Sequence, residues 1–282
     1  MNKDELRALA LELFETLDGN ILTADMDIEP QYVGLRLYDA PLIGFGSAHD
    51  ALYDEYKKPG IIGPWHMSPE EWLPGAKSVI SIFLPFSEEV RSSNAKETEH
   101  ASIPWVYARI EGQQYVGKFI SAFTARLKEK GYSGCIPQMD PRWQAVHAGS
   151  GIDGYPEAMT PLTFGSRWSE RHTAFVCGLG TFGLSKGIIT ERGMAGRFCS
   201  VVTDLEVEPD VRPYTEIYEN CIHCNACVRR CPVDAIDPVT GKNHSTCYGF
   251  MGLSKKMFAP RYGCGLCQTA VPCEACNPSA GS

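Results

Sequence analysis

Cys221-Ile-His-Cys224-Asn-Ala-Cys227-Val-Arg-Arg-Cys231-Pro232 opens a stretch, ending at Cys276, that holds nine of the chain's twelve cysteines. Three thiols at two-residue intervals can wrap three irons of one cubane, and a fourth, sent off by proline, points to a neighbouring cluster. Zinc calls for two separate C-x₂-C pairs, which this triple spacing does not supply. A disulfide framework belongs to short secreted chains, and this one has 282 residues with no legible secretion signal. The run predicts iron–sulfur chemistry.

Downstream lie Cys247, Cys264-Gly-Leu-Cys267 and Cys273-Glu-Ala-Cys276. Two [4Fe–4S] clusters need about eight thiolates, and in two-cluster ferredoxins the fourth cysteine of each motif crosses to the other cluster. On that pattern cluster 1 takes Cys221, Cys224 and Cys227 with Cys273 or Cys276. Cys273 is preferred because it follows Pro272 and lies nearer the Cys264/Cys267 loop. Cluster 2 takes Cys231, Cys247, Cys264 and Cys267; the alternative is one cluster with stray cysteines. Cys135, Cys177 and Cys199 sit among apolar neighbours and read as small hydrophobes. His223 reads as a hydrogen-bonding neighbour of the cluster or a surface residue.

Residues 1–205 read as an α/β domain and 206–282 as a cluster-bearing module. Ser78 to Leu84 is a buried strand after the Pro74-Gly75 turn. Val116, Phe119, Ile120, Phe123 and Leu127 mark a helix face that ends near Gly131, and Leu6 to Leu17 form an N-terminal helix stopped by Gly19. Ser169 to Cys177 reads as a helix capped by Ser169 and closed by Gly178. Gly187 to Thr190 and Arg197 to Thr203 read as strands joined through Glu191-Arg192-Gly193. The proline-bearing stretch Val207 to Pro213 reads as a linker. A net charge of −8 argues against a nucleic-acid partner. No stretch approaches the roughly 20 apolar residues of a membrane span, and the expected location is the cytoplasm.

Gly178-Leu-Gly180-Thr-Phe-Gly183 matches the dinucleotide pattern G-x-G-x-x-G, with Asp204 at a suggestive distance. That pattern must follow a strand and open a helix. Here a helix precedes and a strand follows, so a nicotinamide site is not expected. The glycines imply instead a close approach to another chain segment or a flat cofactor.

Ser169-Glu-Arg-His172, Ala174 to Gly183, Ala195-Gly-Arg-Phe198 and Val201 to Asp204 together resemble the cobalamin-binding core of the epoxyqueuosine reductase family. Cys247-Tyr248 and Cys264 to Gln268 are similar to its cluster module, and Tyr107-Ala108 with Tyr115 to a tyrosine-bearing helix. The resemblance covers residues 75–276. It implies a nitroreductase-like mixed sheet core fused to a two-cluster ferredoxin-like module and related to reductive dehalogenases. It also implies base-off cobalamin between the two parts, reduced by the clusters. Arg171, Gly178, Gly180, Thr181, Phe182, Gly183, Lys186 and Arg197 would then be its binding residues. No D-x-H-x-x-G sequence offers a lower-face histidine, which is compatible with unligated cobalt.

The chain departs from the family in its acid. No aspartate lies in Phe164 to Glu170, so Glu170 or Tyr107 would serve as proton donor. The family's C-terminal extension is absent and the chain is acidic, which puts transfer RNA in doubt as substrate and favours a small molecule. A low-potential electron donor of ferredoxin or flavodoxin type is the expected partner. The alternatives are a non-catalytic electron carrier or corrinoid reactivator, and a flavin reductase on the same core.

Overall fold

The computed structural model describes residues 1–146 and 165–280. Its centre is a four-stranded sheet in the order β1 (Leu42–Ser47), β2 (Ser78–Pro85), β8 (Gly196–Thr203), β3 (Gly134–Cys135). Short two-stranded ladders join β4 (Ala145–Val146) to β5 (Gly165–Ser166), β6 (Gly180–Phe182) to β7 (Ile188–Thr190), and β9 (Ile236–Asp237) to β10 (Gly241–Lys242). The α/β class stands. Every ladder among the described residues is antiparallel, where a mixed sheet was expected.

All eight residues of β2 are buried, as a strand covered on both faces requires. Strand alternation divides its side chains. Ile80, Ile82 and Leu84, with Cys199 and Val201 of β8, face the core built by α1 (Lys3–Thr16) and α5 (Ile103–Glu129). Val79 and Val202 face the opposite core, with Trp168, Val176 and Cys177. Three short helices, α2 (Leu52–Tyr56), α3 (Pro69–Trp72) and α4 (Glu88–Ala95), lie in the connections.

The N-terminal helix starts in a capping box between Asn2 and Glu5. Helix α5 starts earlier than its apolar stripe alone suggests. Pro104 sits in its first turn and the Ser102 hydroxyl accepts the Trp105 N–H, which fixes the start.

Helix α6 (Glu170–Val176) lies across the second face of the sheet. Its cap differs from expectation: the Ser169 hydroxyl bonds the His172 ring at 2.8 Å rather than a backbone amide. The glycine motif that follows is a strand, with Gly180 paired to Thr190. A Cβ added at Gly180 would fall on the Ile189 carbonyl, and its φ of +156° suits glycine. Gly180→Ala is therefore expected to destabilise the fold by roughly 1–3 kcal/mol, read as a lower unfolding temperature.

Residues 207–213 do not behave as a free linker. Phe45 and Asp210 exchange backbone and side-chain bonds at 2.8 and 3.1 Å. Asp210 also pairs with Lys3 at 2.6 Å. Val207 is buried in the main core. Beyond it come α7 (Ala226–Arg229) and the largely exposed α8 (His244–Phe258). The cysteine segments are tied to the sheet core: Asn94 donates to Thr269 at 3.0 Å, and the Met194 amide donates to the Cys273 carbonyl at 2.9 Å. Gly265, with φ +70°, lets the Cys264–Cys267 loop lie flat on the Trp105 ring. Among the described residues no helix is long and apolar enough to cross a membrane.

Candidate cluster and cofactor site

His223 and Asn225 both adopt left-handed backbone, at φ 48° and 56°. These two kinks fold the Cys221–Cys227 loop inward. Cys221, Cys224, Cys227 and Cys273 line one cavity, closed by Leu184 and Val271. Burial pushes the Cys227 thiol up to about 11, helped by Cys267, Cys221 and Cys224. Burial likewise pushes Cys273 up to about 12, with Cys227, Cys221 and Cys224 as its neighbours.

A second group forms around Cys264, raised to about 12 by burial and then by Cys267, Cys247 and Cys231. The Ala235 amide donates to the Cys231 sulfur at 3.2 Å. Cys276 is exposed and its sulfur faces the Pro272 carbonyl. His223 is exposed too. All twelve cysteines are free thiols. Crowded thiols resist ionisation unless a positive centre offsets the charge. Cys221, Cys224, Cys227 and Cys273 share a cavity of the kind a [4Fe–4S] cluster needs, and Cys231, Cys247 and Cys267 are the thiols that act on Cys264.

The second thiol group borders a cationic cluster. The Arg109 guanidinium lies 4.2 Å from the Tyr262 ring centroid. Arg197 donates to the Arg109 carbonyl at 3.2 Å, while its Nε is buried without a partner. Burial lowers Arg109 to about 10, and Arg197 lowers it further. Arg171 is lowered first by burial and then by Arg197, with Cys267 and Cys247 acting the other way. By surface area, however, Arg171 is exposed. Burial works against the charge on Lys242, yet Cys267 and Cys247 raise it overall. Lys186, at φ 59°, is lowered by burial and by Lys242. The buried Arg197 donor and this cationic rim suit the amide and phosphate groups of a corrinoid.

The remaining sequence-derived residues scatter. Gly178 and Gly180 line a different cavity, about 740 Å³, with Leu42, Gly44, Asp210 and Tyr214. Gly183 lines the first cysteine cavity. The Thr181 hydroxyl accepts the Asn220 amide at 2.8 Å, and the Phe182 ring lies 4.9 Å from His172. Tyr107 is on α5, across the sheet from α6; its hydroxyl accepts the Glu29 amide at 3.0 Å and its ring carries Arg261 at 4.6 Å. Tyr115 packs in the same core. Both Glu170 oxygens are sealed from solvent without a hydrogen-bond partner. Burial raises its carboxyl to about 7, offset only in part by Ser200 and Trp168. The structure thus separates Glu170 from Tyr107. Phe164 lies outside the described residues.

The 4Fe-4S binding domain family matches residues 214–237. No curated protein matches the chain by sequence. Among solved structures, an epoxyqueuosine reductase bound to an epoxyqueuosine-modified tRNA-Tyr stem loop is 20% identical with a TM-score of 0.52. The match covers 96% of this chain and 65% of that one. The epoxyqueuosine reductase of Streptococcus thermophilus is 17% identical with a TM-score of 0.50, over 97% of this chain and 66% of that one. The chain has the epoxyqueuosine reductase fold. It spans just under two thirds of the length of those two reductases. A catabolic reductive dehalogenase in complex with 3-bromo-4-hydroxybenzoic acid is 14% identical, with a TM-score of 0.49 over 99% of this chain and 37% of that one.

On this epoxyqueuosine reductase fold, the sequence reading overlooked Arg109, Lys242 and Tyr262. They come from α5, β10 and the segment after α8, and no local motif links them. Charge spacing alone carries no signal at such separations. A three-dimensional neighbourhood does.

Proposed function

We propose that the chain is a cobalamin-dependent reductase in which two [4Fe–4S] clusters serve a base-off corrinoid held between the cysteine segments and the sheet core. The observation that carries this reading is that the Cys247 and Cys267 thiols lie beside a group of cations, Arg171 and Lys242 with Arg197 and Lys186 as their neighbours. Cys221, Cys224, Cys227 and Cys273 would hold cluster 1, and Cys231, Cys247, Cys264 and Cys267 cluster 2. A bound corrinoid supplies low-valent cobalt, which the low potentials open to cubane clusters can sustain.

The protein's own residues bind and orient. The unpartnered Nε of Arg197 would donate to an amide or phosphate oxygen, and Lys186 would supply a second donor. Trp105 under Gly265 holds the Cys264–Cys267 loop against the core. Electrons would come from a ferredoxin or flavodoxin type donor in the cytoplasm, and the substrate would be a small organic molecule rather than nucleic acid.

Anaerobic reconstitution with iron, sulfide and hydroxocobalamin tests the reading. About eight irons and one cobalt per chain are expected, with a base-off Co(II) paramagnetic signal. Four irons and no cobalt would sink it, and retained yellow flavin would point to the flavin reductase instead.

A further inference from the structure

Strand β1 is the outer strand of the main sheet, with β2 on one side and, among the described residues, no strand on the other. Along such a strand the backbone groups alternate between pairing with the neighbour and pointing away from it. Phe45 points away: its amide donates to the Asp210 carboxylate at 3.1 Å, and its carbonyl accepts the Asp210 amide at 2.8 Å. Ile43, two residues back, therefore turns its N–H and C=O the same way. Among the described residues neither of these two groups finds a partner. An open edge of this kind is a template for another strand.

The open edge lies in a recess. Leu42, Ile43 and Gly44 line the cavity of about 740 Å³, with Arg7 and Leu11 of α1 on one side and Leu179 on the other. Gly44 draws the second wall close, since a Cβ there would fall 2.4 Å from the Cys177 carbonyl. Several polar groups of the lining are already committed within the fold. Asp210 holds Phe45 and Lys3, and the Tyr214 hydroxyl accepts the Gly180 amide and donates to the Phe175 carbonyl. Arg7 is matched by Asp4 at 3.5 Å and Asp210 at 3.8 Å. Glu191 and Glu219, both exposed, also line the recess, and among the described residues neither forms an ion pair. The uncompensated charge is negative.

We infer that this recess is a strand-addition site for an extended segment of a partner protein, one that carries a basic residue. The inference uses no part of the cofactor reading. The complement of one outward strand residue is another strand residue, whose C=O and N–H meet the N–H and C=O of Ile43. A second copy of this chain cannot supply it from the same edge, because two recessed edges do not meet. A lysine or arginine of the added segment pairs with Glu191 or Glu219, and its apolar side chains meet Leu11, Ile43 and Leu179. The partner would sit beside the first cysteine group: Asn220 and Asn277 of the lining adjoin Cys221 and Cys276 in the chain.

The test is anaerobic titration calorimetry of the full chain with the blocked peptide acetyl-Val-Lys-Val-Lys-Val-amide. Saturable one-to-one binding is expected. The fully N-methylated peptide, which has no main-chain donors, should bind more weakly by roughly tenfold or more. So should a peptide with glutamate in place of lysine, and Glu191→Lys should narrow that difference. Ile43→Pro should abolish binding and leave the melting temperature nearly unchanged, because an edge strand tolerates proline where its N–H faces outward. Should that variant fail to fold, the N-methylated peptide on the unaltered protein still decides. Absence of saturable binding overturns the proposal, and so does binding that N-methylation leaves intact, which marks a merely apolar pocket. Equal binding of the glutamate peptide overturns the assignment of a basic segment. A dimer of the chain that the peptide dissociates gives the edge to a second copy and overturns it too. Iron and cobalt counts, which decide the cofactor reading, play no part in this titration.

Discussion

Cys267→Ser is expected to cut the iron content from about eight to about four per chain on anaerobic reconstitution. Cys227→Ser should do the same from the other thiol group, and Cys276→Ser should leave about eight. The two groups differ in most of what surrounds them, although Cys267 acts on both Cys227 and Cys264. Cys227 and Cys273 feel Cys221 and Cys224, whereas Cys264 feels Cys247 and Cys231. Losing one thiol from a four-thiol cage removes a quarter of its ligation and leaves a buried iron open to water. The Cys267 variant carries a further consequence. Arg171 and Lys242 would lose a negative neighbour, so their mutual repulsion should make this variant less stable than the Cys227 one. Iron and sulfide analysis with electron paramagnetic resonance of the reduced proteins reads the first outcome, and melting temperature the second. Four irons lost from Cys276→Ser and none from Cys273→Ser would reverse the ligand assignment.

How much of this was legible in the sequence depends on distance along the chain. The Cys221–Cys231 run was readable because a cubane's ligands sit on one short loop, whose turns at His223 and Asn225 are local matters. The strand Ser78–Pro85 was readable because burial on both faces leaves an unbroken apolar run. The partner of β7 was not. The turn at Glu191–Gly193 suggested a hairpin with β8, yet Ile188–Thr190 pairs with Gly180–Phe182 and β8 joins the main sheet. Gly180 hid a strand because glycine is a weak strand former, retained there for the close approach of the Ile189 backbone.

The two candidate acids occupy different places for a related reason. Tyr107 and Glu170 were alternative proton donors, and the sheet lies between them. Tyr107 spends its hydroxyl on Glu29 and its ring on Arg261, which is packing chemistry. The stretch Val207–Pro213 looked like a linker because proline and charge dominate it. Asp210 in fact serves as a tie, bonding Phe45 and Lys3 at once. Composition reports polarity; it does not report which polar atoms are committed.

Glu170→Gln should raise stability at alkaline pH and leave it nearly unchanged in acid. The Glu170 carboxyl is raised from 4.5 to about 7, first by burial. Between those two values the unfolded chain releases a proton that the folded protein keeps, so stability falls as pH rises through that window and stays low above it. At about 1.4 kcal/mol per tenfold change in proton affinity, the buried charge costs roughly 3 kcal/mol at pH 8. Glutamine fills the same space without ionising, so the variant escapes that cost. The melting temperature of the variant should therefore exceed the parent's by on the order of 5 °C at pH 8 and match it near pH 4. His66 and His172, lowered to about 4 and about 3 by burial, give the opposite slope. Their contribution is present above 6.5 and fades as pH falls, but it is common to both proteins and cancels in the difference. An equal difference at both pH values would show that Glu170 never carries the charge, and that its partnerless oxygens in the core are permanently protonated.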